Sequence, residues 1–252
     1  VNQLFYGAGI SPNCYFIVAS FSVSDCNPQL NKHAGTRLDT IVRLSRCLQK
    51  YTCALFEELG LKELYRVIYD SVDYLIYADN EEDLLSIVED LKKIRKRLDS
   101  QLDDYNIYLS FSSMIHDVMS ILNGFNEASF TAKLLHNKLL PGTVKSFSEI
   151  GSYQMMFYIE DKKKLLPFRD RYLKELYKVD LEYSSQLLET LREYLIQNGN
   201  MLQTAKNLFI HRNTLQYRMD RIKAITNMEL NDFIVRRDLI NAFIILDILP
   251  FP

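Results

Sequence analysis

The first part of the chain alternates short apolar runs with stretches of helical periodicity. Residues Cys14–Val23 form a nearly continuous apolar run, which predicts a mostly buried strand. Two β-rich runs, Leu64–Tyr69 and Asp73–Ala78, are separated by only three residues, and this spacing predicts a hairpin. In Asn106–Ser112 apolar side chains alternate with Tyr and Ser, which predicts a strand with one buried face.

Helical periodicity fills the intervals between these strands. Apolar positions recur at helical spacing over Gly35–Leu59, over Asn80–Leu102 and again over Val118–Leu139. A short strand at Thr143–Phe147 completes the order β-α-β-β-α-β-α-β. This order predicts a single mixed sheet whose helices cover one face.

After Glu149 the pattern is helical throughout, so the chain is expected to change from an α+β to an all-α architecture. The charged stretch Glu160–Lys164 marks the boundary. The chain begins with Val1 rather than Met, which indicates a fragment of a longer protein. The predicted segments are a linker remnant, an α+β domain, a helical linker and an all-helical domain, at residues 1–13, 14–155, 156–180 and 181–252.

Composition excludes several classes of protein. With 48% hydrophobic and 25% charged residues, the chain has the composition of a globular domain. It lacks the ~20 consecutive apolar residues that a membrane span requires. Its four cysteines include no Cys-x-x-Cys pair, which indicates buried reduced thiols and a cytoplasmic location. No zinc-ligand spacing and no glycine-rich phosphate loop occurs, so neither a metal nor a cofactor is predicted.

The formal net charge of −2 hides one basic segment. Residues Asn200–Ala224 contain five basic side chains and one acidic side chain, which indicates an anion or nucleic-acid surface. A second basic run, Lys92–Arg97, lies late in a predicted helix that begins with three acids. Because this order of charges matches the helix dipole, we interpret the second run as a solvated helix.

Residues Leu187–Thr226 have the pattern of three short helices. Gly199 is expected to end the first helix, and Asn200 to cap the second, Met201–Leu208. Two side chains of the second helix, Leu202 and Ala205, are expected to face inward.

The turn into the third helix is very short. Only Phe209 and Ile210 precede a helix that starts near His211. Two helices joined in this way cross steeply, as in a helix-turn-helix. An amphipathic three-helix bundle with merely solvated basic residues is the alternative.

A helical wheel divides the third helix into two faces. Leu215, Met219 and Ile222 form its core side, and Arg218 lies close enough to them to pair within the domain. His211 has the position of a capping residue, and Asp220 must either accept from a cytosine amino group or lie clear of the phosphates. The predicted DNA-binding residues are Lys206, His211, Arg212, Asn213, Thr214, Gln216, Tyr217 and Arg221.

This segment resembles a known family. The residues Asn198–Asn200, Leu208–Leu215 and Tyr217–Arg218 resemble the C-terminal DNA-binding domain of PucR/CdaR regulators, which control purine catabolism and carbohydrate-diacid use in bacteria. The resemblance covers roughly Leu187–Leu249. It implies a homodimeric transcription regulator whose third helix enters the major groove. The segment is more loosely similar to the Fis-type helix-turn-helix, whose turn usually carries Gly where Phe209 stands here.

The α+β domain is similar, in the order of its elements, to the GGDEF-like fold of diguanylate cyclases, which implies a ferredoxin-like mixed sheet. Active cyclases carry Gly-Gly-Asp/Glu-Glu-Phe in the hairpin, with glycines that admit the nucleotide and acids that hold metal. The hairpin here, Asp70–Tyr74, has no glycine, and one acid is replaced by Val72. The end of the first strand, Ser20–Ser24, also lacks a metal-binding acid. Asp70 and Asp73 are therefore interpreted as turn residues, and no catalytic residue is predicted.

These observations predict a cytoplasmic, sequence-specific transcription regulator that binds double-stranded DNA and is not an enzyme. An unknown small-molecule effector is expected to act through a domain that is missing from this fragment or N-terminal in it, and no membrane partner is expected. The segment Leu239–Leu249 is apolar on nearly all sides, which predicts a homodimer. The alternative is a non-catalytic signalling protein whose GGDEF-like domain binds a nucleotide or metabolite and whose helical domain binds protein.

Overall fold

The computed structural model describes residues 11, 13–25, 34–58, 64–68, 71–101, 105–137 and 139–251. The chain divides into two compact units, Val1–Gln154 and Met155–Pro252. Most of the predicted linker remnant and the hairpin residue Asp70 lie outside the described residues. In the described part of the chain, no helix combines the length and the apolar composition that crossing a bilayer takes.

The first unit has the predicted order of strands and helices. Two 3-10 turns, Val118–Ser120 and Phe147–Glu149, accompany them. The elements are β1 (Tyr15–Asp25), α1 (Ala34–Glu58), β2 (Tyr65–Ile68), β3 (Ser71–Ala78), α2 (Glu81–Asp99), β4 (Tyr105–Phe111), α3 (Ile121–His136) and β5 (Val144–Ser146).

These strands form one mixed sheet in the order β2-β3-β1-β4-β5. β1 is antiparallel to both β3 and β4, β2 is antiparallel to β3, and β4 is parallel to β5. The prediction of a single mixed sheet is confirmed.

Helices cover both faces of the sheet, so the prediction of one covered face is wrong. Phe21 and Leu109 pack with α1 and α2 on one face, whereas Phe16 and Val18 pack with α3 on the other. β4 is consequently buried on both faces. The polar residues of β4 made one of its faces look exposed in the sequence. Ser110 on that face is nevertheless fully buried, and its hydroxyl donates to the Ala128 carbonyl oxygen at 2.9 Å.

The predicted hairpin is present, but its second strand begins earlier than expected. Ile68 lies opposite Ser71, so β3 starts there rather than at Asp73. Asp73 is a strand residue and only 2% exposed, which corrects its interpretation as a turn residue. Its carboxylate accepts from the Ser20 hydroxyl at 2.6 Å and pairs with Arg66 Nε at 3.0 Å. A buried carboxylate requires such partners, since an unpaired one is strongly destabilising.

Three of the five basic side chains in the run on α2 pair with acids of their own helix, and the third of them, Arg95, pairs with Asp99. Lys92 Nζ lies 2.7 Å from Glu89, and Lys93 Nζ lies 2.8 Å from Asp90. This pairing supports the interpretation of a solvated helix. The cysteines are less uniform than predicted, because Cys14 is buried but Cys53 is exposed.

The second unit is helical, without strands between residues 155 and 251. Its core contains Leu173, Leu176, Leu191, Leu215 and Phe243. The first two belong to the predicted helical linker, which therefore contributes to this core. The helices are α4 (Tyr153–Tyr158, which begins at the end of the first unit), α5 (Leu166–Tyr183), α6 (Leu187–Ile196), α7 (Met201–Asn207), α8 (Arg212–Thr226) and α9 (Phe233–Ile248).

The apolar segment at the end of α9 is largely buried. Leu239, Ala242 and Phe243 pack into the core of the second unit, which explains the apolar character of these positions without a second chain. The homodimer stays a prediction, but this segment no longer supports it.

A buried arginine ties the end of α9 to α5. Arg169 is 5% exposed, and its Nη1 donates to the carbonyl oxygens of Leu249 and Pro250 at 2.6 and 3.1 Å. Its guanidinium also pairs with Asp170 at 2.6 Å and lies 4.0 Å from the centre of the Phe251 ring. Arg169 thereby satisfies the carbonyl oxygen of Leu249, the residue that caps α9, and that of Pro250 after it.

Candidate nucleic-acid interface

The caps of α6 and α7 form as the sequence predicted. Gly199 has φ +84°, and its N–H donates to the Tyr194 carbonyl oxygen at 2.9 Å, which closes the end of α6. The Asn200 side chain accepts from Gln203 N at 3.1 Å and caps α7. The inward face of α7 contains Thr204 and Ala205.

Leu202 does not belong to that inward face. It is 76% exposed, so the prediction that it packs inward is wrong. The stripe that faces the core runs through Met201, Thr204, Ala205 and Leu208, and Leu202 lies about a quarter of a turn away from it.

The turn between α7 and α8 uses a left-handed residue where glycine is usual. Phe209 has φ +54° and is 95% exposed. The turn is closed by Ile210 N, which donates to the Ala205 carbonyl oxygen at 3.1 Å. A side chain in this conformation costs roughly 1–2 kcal/mol, because its Cβ crowds the following carbonyl oxygen. The left-handed turn between α7 and α8 thus forms without glycine, at this cost in conformational energy.

His211 caps α8, as predicted. Its Nδ1 accepts from Asn213 N at 3.2 Å, and the residue is exposed. A ring nitrogen that accepts carries no proton, so the neutral ring carries its proton on Nε2. That N–H is the donor which His211 offers beside the start of the helix.

The two predicted faces of α8 are separated as expected. Leu215, Met219 and Ile222 are buried. The residues predicted to bind DNA between His211 and Tyr217 are exposed, and so is Lys206 on α7. The structure thus brings together His211, Arg212, Asn213, Thr214, Gln216 and Tyr217 on one exposed surface, whose contact with DNA stays a prediction.

Arg218 and Arg221 have different surroundings from that surface. Arg218 donates to Thr190 Oγ1 at 3.1 Å and to Gln186 Oε1 at 2.7 Å, which confirms that it pairs within the domain. Arg221 is half-buried, with its guanidinium carbon 5.4 Å from the centre of the Tyr183 ring. This cation–π contact restrains a side chain that was predicted to contact phosphate.

Three supporting interactions could not be read from local pattern. One is the contact of Tyr183 with Arg221, which joins α5 to α8. Another is Asp180, whose carboxylate accepts from the backbone N–H groups of Leu187 and Leu188 at 2.7 and 2.8 Å and so caps α6. The third is a hydrogen bond from Gln216 Nε2 to Asp220 Oδ1 at 2.8 Å.

The surface presents guanidinium, amide, imidazole and phenol groups. Groups of these kinds can donate hydrogen bonds to base edges or phosphates. Within the residues that the structure covers, no three or more His, Cys, Asp and Glu side chains are grouped so that they could hold a metal ion.

Comparison with known proteins agrees with this geometry. Residues 187–245 match the family model of the PucR C-terminal helix-turn-helix domain. This match begins at the first residue of α6 and ends within α9, so it includes α7, the Phe209 turn and α8.

Three curated relatives match parts of the chain. The proline-responsive transcriptional activator PutR of Bacillus subtilis is 38% identical over 90 residues, which is 36% of this chain and 22% of PutR. The transcriptional activator AdeR of the same organism is 27% identical over 150 residues, 57% of this chain and 35% of AdeR. The carbohydrate diacid regulator of Escherichia coli is 42% identical over 53 residues, 21% of this chain and 14% of that protein.

The matches therefore span about a third or less of the length of these three relatives. All three are named as regulators or activators, and the family model covers the predicted reading helix. Residues 187–245, from the start of α6 to within α9, are thus similar to the PucR C-terminal helix-turn-helix domain.

Proposed function

We propose that this chain is part of a sequence-specific, DNA-binding transcription regulator in which α8 reads the major groove. The observation that carries the proposal is the exposed face of α8, rich in amides and cations, inside a segment that matches a PucR helix-turn-helix domain. A recognition helix presents such a face to base edges from its first turns.

The residues of this face have two roles. Arg212, Asn213, Gln216 and Tyr217 read bases, because they project from the first turns of α8 away from its buried side. An amide in contact with adenine contributes roughly 1–3 kcal/mol of discrimination. Lys206 and Arg221 bind the phosphates. His211 and Thr214 belong to the same DNA-binding surface and lie at the start of α8.

Substitutions of the two classes should differ in kind. Asn213→Ala should flatten the preference among duplexes while the fold survives. Lys206→Ala should instead weaken binding to all duplexes alike and lower the slope of log affinity against log salt by about one. Fluorescence anisotropy with duplexes enriched from a randomised pool, measured at several salt concentrations, distinguishes the two results.

The matched control for Lys206 is Lys174→Ala, which removes an exposed lysine from α5. It should leave both affinity and salt dependence unchanged. An Asn213→Ala variant that keeps full affinity and full selectivity would contradict the assigned reading face.

A rival function is a signalling protein whose helical unit binds another protein. Duplex binding that weakens with salt supports regulation of transcription, because a protein that neutralises phosphates releases counterions. If the wild-type chain binds no duplex at low salt, the rival is favoured.

The regulator is proposed to act in the cytoplasm, where bacterial DNA lies, and to respond to an unknown small-molecule effector. That effector would act through a domain that is missing from this fragment or N-terminal in it. Two facts support this part of the proposal: one relative is named as proline-responsive, and the relatives are much longer than the segments they share with this chain.

We infer that the first unit is a degenerate GGDEF-like domain of ferredoxin-like type. Its strand order and its β2–β3 hairpin support this inference. The hairpin lacks glycine, and Asp73, which stands at an acidic position of the motif, pairs with Arg66 instead of being available to a metal.

Incubation of the chain with GTP and Mg²⁺ is therefore expected to yield no cyclic dinucleotide, since this hairpin lacks both glycines and one of the two acids, and the remaining acid, Asp73, pairs with Arg66. Chromatography of the nucleotides checks this, with an active cyclase as the positive control. Cyclic dinucleotide above the level of a protein-free sample would contradict the inference.

A homodimer is the expected assembly, because two copies of a reading helix suit a palindromic site. The apolar side chains exposed at the start of α9, Phe233 and Ile234, are the surface available for it. Light scattering at high protein concentration should give the mass of two chains. A monomeric mass under those conditions counts against the homodimer.

A further inference from the structure

Asp220 is the acidic residue of α8, and it lies on the exposed face that DNA is proposed to occupy. A carboxylate there opposes binding to phosphates. We propose that Asp220 is a positioning residue, which orients the Gln216 amide to read an A·T base pair. This inference rests on the proposed function and adds a base class to it.

The two side chains are four residues apart, so they lie on the same side of the helix. Gln216 Nε2 is 2.8 Å from Asp220 Oδ1. Because an ionised carboxylate only accepts hydrogen bonds, it holds the amide nitrogen toward itself and turns the amide oxygen away. The orientation of this amide is thus set by the charge of its neighbour.

The held amide keeps a donor and an acceptor for DNA. Gln216 uses one of its two N–H groups on Asp220, which leaves the second N–H and Oε1. A paired donor and acceptor on one amide match N7 and N6 of adenine in the major groove. No other single base presents this combination in the major groove, since guanine offers two acceptors there, cytosine a donor and thymine an acceptor.

Holding the amide in advance should improve discrimination. A free glutamine side chain loses rotamer freedom when it contacts a base, and that loss corresponds to about two- to tenfold in affinity. When Asp220 has already ordered the amide, Gln216 loses less rotamer freedom on contact with the correct base.

Two other roles for Asp220 make different predictions. If the carboxylate only repels phosphates, its removal strengthens binding to all duplexes equally. If it accepts directly from a cytosine amino group, its removal changes base preference whether or not Gln216 is present.

The test is a double-mutant cycle of Asp220→Ala and Gln216→Ala in the full chain. The probes are a duplex enriched by the wild-type chain from a randomised pool and its single-base-pair variants, with circular dichroism to verify folding. We expect Asp220→Ala to lower selectivity at one A·T pair about two- to tenfold. In the Gln216→Ala background, the same change should leave selectivity unaltered.

Asp220→Asn separates charge from hydrogen bonding. It removes the charge but keeps an oxygen that can accept from Gln216. This variant should bind all duplexes more tightly and keep the A·T preference that Asp220→Ala loses.

Three results would overturn the inference: unchanged selectivity in Asp220→Ala, an equal change in both backgrounds, or an enriched duplex without a preferred A·T pair. Each of them leaves the proposed function intact, since the wild-type chain still selects DNA. Failure of the wild-type chain to bind any duplex would overturn the proposed function and, with it, this inference.

Discussion

Replacement of Arg169 with alanine is expected to lower the free energy of unfolding by about 2–4 kcal/mol. The substitution removes donors from the carbonyl oxygens of Leu249 and Pro250 and leaves Asp170 without its guanidinium partner. It also removes the group that packs on Phe251. Urea unfolding followed by far-ultraviolet circular dichroism measures the loss, since the chain contains no Trp for fluorescence.

Arg171→Ala is the matched control, because it truncates an exposed arginine on the same helix. It should change the free energy of unfolding by no more than about 0.5 kcal/mol. Arg169→Lys should not restore stability, since a single ammonium group cannot donate as a planar fork and stack on a ring at the same time. Equal losses at Arg169 and Arg171 would show that the buried contacts at the end of α9 do not stabilise the unit.

Leu215→Ala should be comparably destabilising, by about 2–5 kcal/mol, because truncation of a fully buried leucine leaves a cavity. Leu215 lies on the core side of α8, so its loss should also abolish duplex binding by displacing the reading helix. Thermal unfolding by circular dichroism and anisotropy on the enriched duplex measure the two effects.

The control is the same substitution at Leu202, which is largely exposed on α7. Leu202→Ala should change stability by about 0.5 kcal/mol or less. If the two variants unfolded at the same temperature, the division of α8 into a core side and a reading side would be wrong.

Periodicity predicted the order of strands and helices in the first unit, because each element buries at least one apolar face. It failed where polar side chains are buried with partners on other strands and helices. Ser110 and Asp73 look like solvent-facing or turn residues, yet one bonds to α3 and the other to Arg66. No rule of spacing reports such long-range partners, so the second covered face of the sheet was missed.

The exposed side of α8 followed from the helical wheel, since positions opposite Leu215 and Met219 must face solvent. What surrounds the face did not follow. The contact of Tyr183 with Arg221 joins separate helices, and the Gln216–Asp220 bond depends on side-chain conformation. Helical spacing places the latter two residues side by side but does not specify whether they bond.

Asp180 has a mechanical consequence for the second unit. Its carboxylate joins the end of α5 to the first N–H groups of α6, and Ser184 and Gln186 between them hold left-handed backbone angles. Rotation of one helix against the other must break these bonds. The two helices therefore move together. A torque that rotates α5 about its axis also rotates α6, because the Asp180 hydrogen bonds oppose rotation at the joint between them.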